Sequence, residues 1–205
     1  MNYNLPDHNL LKSEQNSGFK IFTPDKNYLV LGRSNQAESS INMKLALADQ
    51  LTVLQRASGG EAVLLTPNML VIAIKMPIIK DWKPKQYFEK ANGAITTCLV
   101  QMGVQNLHSK GISDLSIGDK KILGSAIFRS KESMFYHAVL NISEDIELIA
   151  KYLKHPKREP YYRKGRNHSE FITSLLAENY SIKFEGLKHC LKNVLTNSFF
   201  ITLAR

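Results

Sequence analysis

LTVLQRASGGEAVLLTPNMLVIAIKM, residues 51–76, carries three β-rich runs around one glycine turn, and its reading decides the fold. The spacing predicts short strands over 51–56 and 62–65 on either side of Ser58-Gly59-Gly60. Residues 69–76 form a continuous apolar run of the kind buried on both faces of a sheet. Glycines in such a turn permit positive φ and let backbone N–H groups approach an anion without a Cβ in the way. Arg56, at the end of the first run, could add a forked donor to the same anion. A plain hairpin turn joining the flanking strands is the simpler alternative.

Outward from this stretch, runs over 19–23 and 28–33 flank Pro24-Asp25-Lys26-Asn27 and predict a hairpin. Phe88, Ala91, Ile95, Cys98, Leu99 and Met102 recur at helical spacing between Pro84 and Gly103, which predicts an amphipathic helix. Strands return over 113–117, 121–128 and 134–142. Ser143 reads as an N-cap before a helix marked by Ile146, Ile149 and Leu153. Further helices are expected over 169–180 and 183–195, and FFITLA, residues 199–204, as a short closing strand. No repeat or linker interrupts the chain, so the expectation is one α+β domain over 1–205, with a mixed, largely antiparallel sheet flanked by helices.

At 205 residues, 43% hydrophobic and 22% charged, the composition excludes disordered and collagen-like classes. No run approaches the ~18 apolar residues of a spanning helix, and the first twenty residues lack the apolar core of a signal peptide. A cytoplasmic protein with no membrane partner is expected. Cys98 and Cys190 are too few for a disulfide framework, and Cys98 lies on the apolar stripe of its helix, as a core thiol does. His8, His108, His155, His168 and His189 show no ligand spacing and read as surface or capping residues, so no metal site is expected.

The formal net charge of +9 favours acidic partners. Part of it is local: KYLKHPKREPYYRKGR, residues 151–166, holds seven Lys or Arg against one Glu, and Pro156 and Pro160 make it a basic loop. No nucleic-acid-binding signature accompanies that charge, so nucleic acid is not expected as a partner. A second cluster, IGDKKILGSA at 117–126, reads as a tight turn that delivers Lys121 to a strand opening into Gly124, Ser125 and Ala126. An ammonium beside an acyl carboxylate or a phosphate offsets developing negative charge, worth ~3–4 kcal/mol in other enzymes. Solubilising charges at a hairpin tip are the alternative for Lys120 and Lys121.

In this order, the motifs resemble the catalytic domain of the biotin and lipoate protein ligases, specifically the lipoate-protein ligase A family. Tyr28-Leu29-Val30-Leu31-Gly32-Arg33, with Asn42 downstream, resembles the family's strand and Gly-Arg-x-Gln-Asn entry. Arg56-Ala57-Ser58-Gly59-Gly60-Glu61-Ala62-Val63 resembles its Arg-x-Ser-Gly-Gly-Gly-Ala-Val loop. Ser113-Asp114-Leu115 with Lys121-x-x-Gly124-Ser125-Ala126, His137-Ala138-Val139-Leu140-Asn141 and the Lys164-Gly165 step match further elements, over roughly residues 19–180.

The resemblance implies activation of lipoate or octanoate with ATP, then transfer of the acyl group to a lysine of a lipoyl carrier domain. It implies that Arg56, Ser58, Gly59, Gly60, Glu61, Ala62, Val63 and Lys164 hold the nucleotide or acyl-adenylate. Lys121 would be the catalytic contact to the acyl carbonyl and α-phosphate, and Gly124, Ser125, Ala126 and His137 would line the acyl site. Val71-Ile72-Ala73-Ile74 is a candidate wall for the acyl tail by composition. Mg²⁺ would escort ATP through its phosphates. The partner implied is an acidic carrier, of a 2-oxoacid dehydrogenase E2 subunit or a glycine cleavage H protein, steered by the basic loop.

Three departures stand out: Glu61 replaces a glycine, Leu65 stands where a His is common, and the family's C-terminal accessory domain has no counterpart. They point to a separate accessory subunit. They also keep two alternatives open, an ATP-independent octanoyl or lipoyl transferase and a catalytically silent acyl- or carrier-binding homologue.

Overall fold

A computed structural model describes residues 3–199. Its elements in chain order are α1 (Asp7–Lys12), β1 (Gly18–Phe22), β2 (Tyr28–Leu31), α2 (Ala37–Ser40), α3 (Met43–Ala48), β3 (Thr52–Gln55), β4 (Val63–Leu65) and β5 (Met69–Pro77). They continue with α4 (Pro84–Gln101), β6 (Leu107–Lys110), β7 (Asp114–Ile117), β8 (Lys120–Arg129), β9 (Ser133–Asn141), α5 (Ile146–Tyr152), α6 (His168–Phe171) and α7 (Phe184–Phe199).

β5 is apolar along nearly its whole length because it is covered on both faces. It pairs antiparallel with β1 and β9 in a six-stranded sheet of order β1-β5-β9-β8-β7-β6. Leu70, Ile72 and Ile74 join Tyr136, Ala138 and Leu140 of β9 on one face, packed under α4 and α7. Cys98 is in that core, as its apolar stripe predicts. The alternate residues, Met69 and Val71 among them, face a smaller sheet of order β3-β2-β4. β2 pairs parallel with β3 and antiparallel with β4. The parallel pair needs a long crossover, which residues 32–51 supply through α2 and α3.

The expected hairpin over 19–33 does not form. Both strands exist, but β1 joins the large sheet on β5 and β2 becomes the centre of the small one. The glycine turn is likewise no hairpin, since β3 and β4 lie on opposite sides of β2 and the turn passes over the end of that strand. The helix expected over 169–180 shrinks to α6, because Ile172 bridges Lys121 and Thr173 N–H donates to the Lys121 carbonyl, drawing the chain onto β8. The cap of α5 is Asp145, whose carboxylate accepts from Glu147 N–H, and not Ser143. Phe199 ends α7, and the rest of the expected closing strand lies outside the described residues.

Candidate functional site

Arg56 was expected to offer its fork to an anion, and the structure gives it another job. The side chain is buried, and its Nε donates to Ser58 Oγ at 3.0 Å and its Nη1 to the Val30 carbonyl at 3.2 Å. Its Nη2 donates to the Gly59 and Glu61 carbonyls at 2.8 and 2.9 Å. Four of the five guanidinium donors are therefore engaged within the protein, two on loop carbonyls, one on the Ser58 hydroxyl and one on β2, which ties the loop to that strand. Burial lowers its pKa to about 10. With the carbonyls turned onto Arg56, the backbone N–H groups of Ser58, Gly59, Gly60 and Glu61 have no partner among the described residues and are left free for an anion. Gly60 has φ +91° and its carbonyl rests against Gly32, where no side chain fits.

Lys121 reaches the same face of the sheet through a β-bulge. β7 and β8 pair Leu115 with Leu123 but Ser116 with Lys121, so Ile122 is an extra residue in β8. Strict alternation would set Lys121 and Gly124 on opposite faces; the extra residue reverses the parity. Nζ of Lys121 forms an ion pair with Asp114 Oδ1 at 2.9 Å. Asp114 is buried and is itself held by Tyr162 Oη at 2.9 Å and Ser113 Oγ at 3.2 Å. The ammonium lies over Gly124, where an added Cβ would meet Nζ at 2.7 Å and Cε at 2.8 Å. Gly124→Ala is therefore expected to push the flexible end of Lys121 off its seat beside buried Asp114, costing ~1–3 kcal/mol of stability and at least ~10-fold in any activity that needs the amine. Denaturation and turnover measured on the same preparation would check this, and an unaffected turnover would count against the role of that seat.

Both clusters open on one cavity of ≈1020 Å³. Its walls include Arg56, Gly59, Gly60, Glu61, Ala62, Val63, Lys121, Gly124, Ser125, Ala126 and His137 of the expected site. Ser58 Oγ sits just behind, against His137 Nε2 at 2.5 Å. Lys164 does not line the cavity: it adopts φ +52° in the turn beyond Arg163. Of the run 71–74 only Val71 faces the cavity, because β5 alternates and Ile72 and Ile74 belong to the core under α4. Met69, Leu64, Leu65 and Val139 are among the other apolar residues of the wall. Lys154, Lys157 and Arg158 of the basic loop stand on the same cavity wall, alongside the exposed Tyr161.

His168, expected at the surface, is buried, and Arg163 Nη2 donates to its Nδ1 at 3.0 Å. Burial first and the Arg163 charge second lower its pKa to about 4. The folded protein holds it neutral while the unfolded chain takes up a proton below about pH 6.5. Stability is thus expected to fall by up to ~3 kcal/mol as the pH drops from 6.5 to 4 and to level off below that. Urea denaturation of the protein and His168→Asn across this range would show a shallower decline in the variant; parallel declines would reject the assignment.

Asp114, Tyr162 and His168 are cavity or supporting residues that no expected role covered. Asp114 was on view inside the Ser113-Asp114-Leu115 motif, whereas Tyr162 and His168 carry no local signal.

The family model for the lipoyl protein ligase A/B catalytic domain matches residues 5–196. Among curated proteins, the chain is 29% identical over 132 residues to a probable lipoate-protein ligase A of Mycoplasma pneumoniae, covering 64% of this chain and 38% of that one. It is 26% identical over 211 residues to the lipoate-protein ligase LplJ of Bacillus subtilis, covering 96% of this chain and 62% of that one. The chain thus spans less than two thirds of the length of these relatives. Among solved structures, the fold matches a bi-partite lipoate protein ligase of Thermoplasma acidophilum, described with its E2 lipoyl domain, at a TM-score of 0.76 and 18% identity, over 88% of this chain and 70% of that one. It matches a lipoate-protein ligase A bound with ATP at a TM-score of 0.74 and 17% identity, over 88% and 71%. No helix among the described residues is long and apolar enough to cross a membrane. With the glycine loop, the bulged lysine strand and the cavity between them accounted for, the chain belongs to the lipoyl protein ligase A/B catalytic domain family.

Proposed function

We propose that this chain activates lipoate or octanoate with ATP and passes the acyl group to a lysine of a lipoyl carrier domain. The observation that carries the reading is the Lys121 amine, aimed by the bulge and held by Asp114, on the same cavity as the unpartnered N–H groups of the glycine loop.

The chemical problem is to bring a carboxylate oxygen onto the α-phosphorus of ATP, two anions that repel in a site of low dielectric. The glycine loop offers neutral donors to phosphate oxygens, and Lys121 offers a charge shared between the acyl carboxylate and the α-phosphate. Asp114 and Tyr162 fix that amine before the ligands arrive, so little reorganisation is needed during reaction. Val71, Leu64 and Val139 give the alkyl chain an apolar wall. In the second step the carrier's lysine amine attacks the acyl carbonyl, AMP leaves, and the same Lys121 charge stabilises the phosphate that departs. Among the described residues no three His, Cys, Asp or Glu side chains converge, so a Mg²⁺ with the nucleotide would be held chiefly by phosphate oxygens, with Glu61 the carboxylate of the glycine loop on the same cavity wall.

The cations at 154, 157 and 158 border the cavity and suit an acidic carrier, of a 2-oxoacid dehydrogenase E2 subunit or a glycine cleavage H protein. On this reading the protein works in the cytoplasm, where ATP and such carriers are found, with a separate accessory polypeptide as a further partner. A cysteine-based transferase is disfavoured by one observation: Cys98 is fully buried between α4 and α7, Cys190 is half-buried beside it, and neither lines the cavity. The decisive assay is lipoate-dependent exchange of pyrophosphate into ATP by the purified chain, alone and with a supplied accessory domain. Exchange in either arm supports the reading; none in both overturns it.

A further inference from the structure

Asp7, the first residue of α1, is 0% exposed. Its carboxylate accepts from Tyr3 Oη on both oxygens, at 2.8 and 2.9 Å, and its Oδ2 lies 3.4 Å from His137 Nδ1. At the other ring edge His137 Nε2 is 2.5 Å from Ser58 Oγ, and Ser58 Oγ accepts from Arg56 Nε at 3.0 Å. This line of atoms has one polarity. Arg56 Nε–H can only donate and an ionised carboxylate can only accept. Nδ1–H of His137 therefore points at Asp7, and with burial favouring the neutral ring its Nε2 lone pair accepts from the Ser58 hydroxyl.

A serine whose proton rests on an imidazole, itself oriented by a buried carboxylate, is an activated nucleophile by geometry. The backbone N–H of Ser58 itself has no partner among the described residues and is a donor for an oxyanion forming beside Oγ. Ser58 and His137 also line a second cavity of ≈660 Å³ that Lys121 does not reach. Phe128 and Phe135 give it apolar walls, while the exposed Lys12 and Arg33 stand at its rim and have no ion pair among the described residues. Apolar walls with a cationic rim suit an acyl chain delivered on an anionic thiol carrier.

We propose that Ser58 is an acyl-accepting nucleophile and gives this chain a second, ATP-independent activity on acyl thioesters. Ser58 Oγ attacks the thioester carbonyl as its proton passes to His137 Nε2. The C–S bond then breaks, the thiolate leaves and takes that proton, and the acyl group remains as an ester on Ser58. Water or an amine next attacks the ester carbonyl and gives a proton to His137; the bond to Ser58 Oγ breaks and the hydroxyl is restored. Nothing is oxidised or reduced, and no nucleotide takes part.

The test uses the full chain with octanoyl-coenzyme A and no ATP. The expected result is thiol release with an octanoyl ester mapped to Ser58 by peptide mass spectrometry. Ser58→Ala and His137→Gln should each release thiol at least ~10³-fold more slowly. Ser58→Cys should keep the adduct as a thioester, which a serine serving only to hold the loop would not do. Should Ser58→Ala fail to fold, the unaltered protein is treated with a fluorophosphonate, and labelling at Ser58 that octanoyl-coenzyme A blocks supports the proposal. It is overturned by the absence of both ester and label at Ser58, or by undiminished thiol release from folded Ser58→Ala. Because ATP is omitted, either outcome leaves the pyrophosphate-exchange result to stand on its own.

Discussion

Lys121→Met is expected to lower lipoate-dependent pyrophosphate exchange by ~10²–10³-fold, the effect of removing one well-placed electrostatic donor in other enzymes. Methionine matches the length of the stem but brings no charge, so the acyl carboxylate and the α-phosphate would meet without a shared cation. The structure adds a second consequence. Asp114 is buried, and losing the ammonium 2.9 Å away leaves its carboxylate, among the described residues, with the hydroxyls of Tyr162 and Ser113. Breaking a buried pair from one side costs ~3–5 kcal/mol when the remaining charge is fully desolvated; Lys121 is a quarter exposed, so the lower end or less is expected. Lys121→Met/Asp114→Asn should recover most of that stability, since an amide has no charge to strand, while exchange stays at the level of the single variant. Denaturant titration beside the exchange assay separates the two effects. A folded Lys121→Met protein with full exchange would remove the amine from the proposed chemistry.

The second large effect is expected at Gly32, a residue outside the lining of the ≈1020 Å³ cavity. A Cβ there would stand 2.0 Å from the Gly60 carbonyl oxygen and 3.0 Å from both its carbon and Asn35 Oδ1, so the severe collision is with backbone. The loop cannot slide away, because Arg56 grips the carbonyls on both sides of Gly60 and Gly60 is already in the left-handed region. Gly32→Ala should therefore cost ~3 kcal/mol or more and abolish nucleotide binding, since the free N–H groups would no longer converge. Gly59→Ala provides the contrast within the same loop: a Cβ there meets nothing within 4 Å, and stability should stay within ~0.5 kcal/mol of the unaltered protein. Calorimetric titration with ATP together with denaturation of both variants checks the pair. Equal stabilities would mean that the close approach of Gly32 and Gly60 does not hold the loop.

Some of this was plain from the chain and some was not, and the division follows the range of the forces involved. The α4 stripe, the apolar β5 run and the Ser58-Gly59-Gly60 turn are periodic or compositional features within one window, so their types were readable. The short α1, α2 and α3 were not, because helices of four to six residues complete too few turns to show a period. The pairing of β1 and β2 with different sheets escaped for another reason: turn residues between two strands specify a reversal but not which edge each strand joins. In the site, Lys121 and the glycine loop were legible as clusters and the structure sets both on one cavity, whereas the fork of Arg56, read as a ligand donor, is taken up by the loop, Ser58 and β2.

By itself the sequence determined the α+β class, the two anion-suited clusters and the basic loop, since each depends on residue types a few positions apart. The fold alone decided that Ile122 bulges and turns Lys121 to the cavity side, and that Asp7 comes to rest on His137 across 130 positions of chain. The physical reason is that strand parity and the burial of a charge are settled by whatever packs opposite them, and that partner lies far away along the polypeptide.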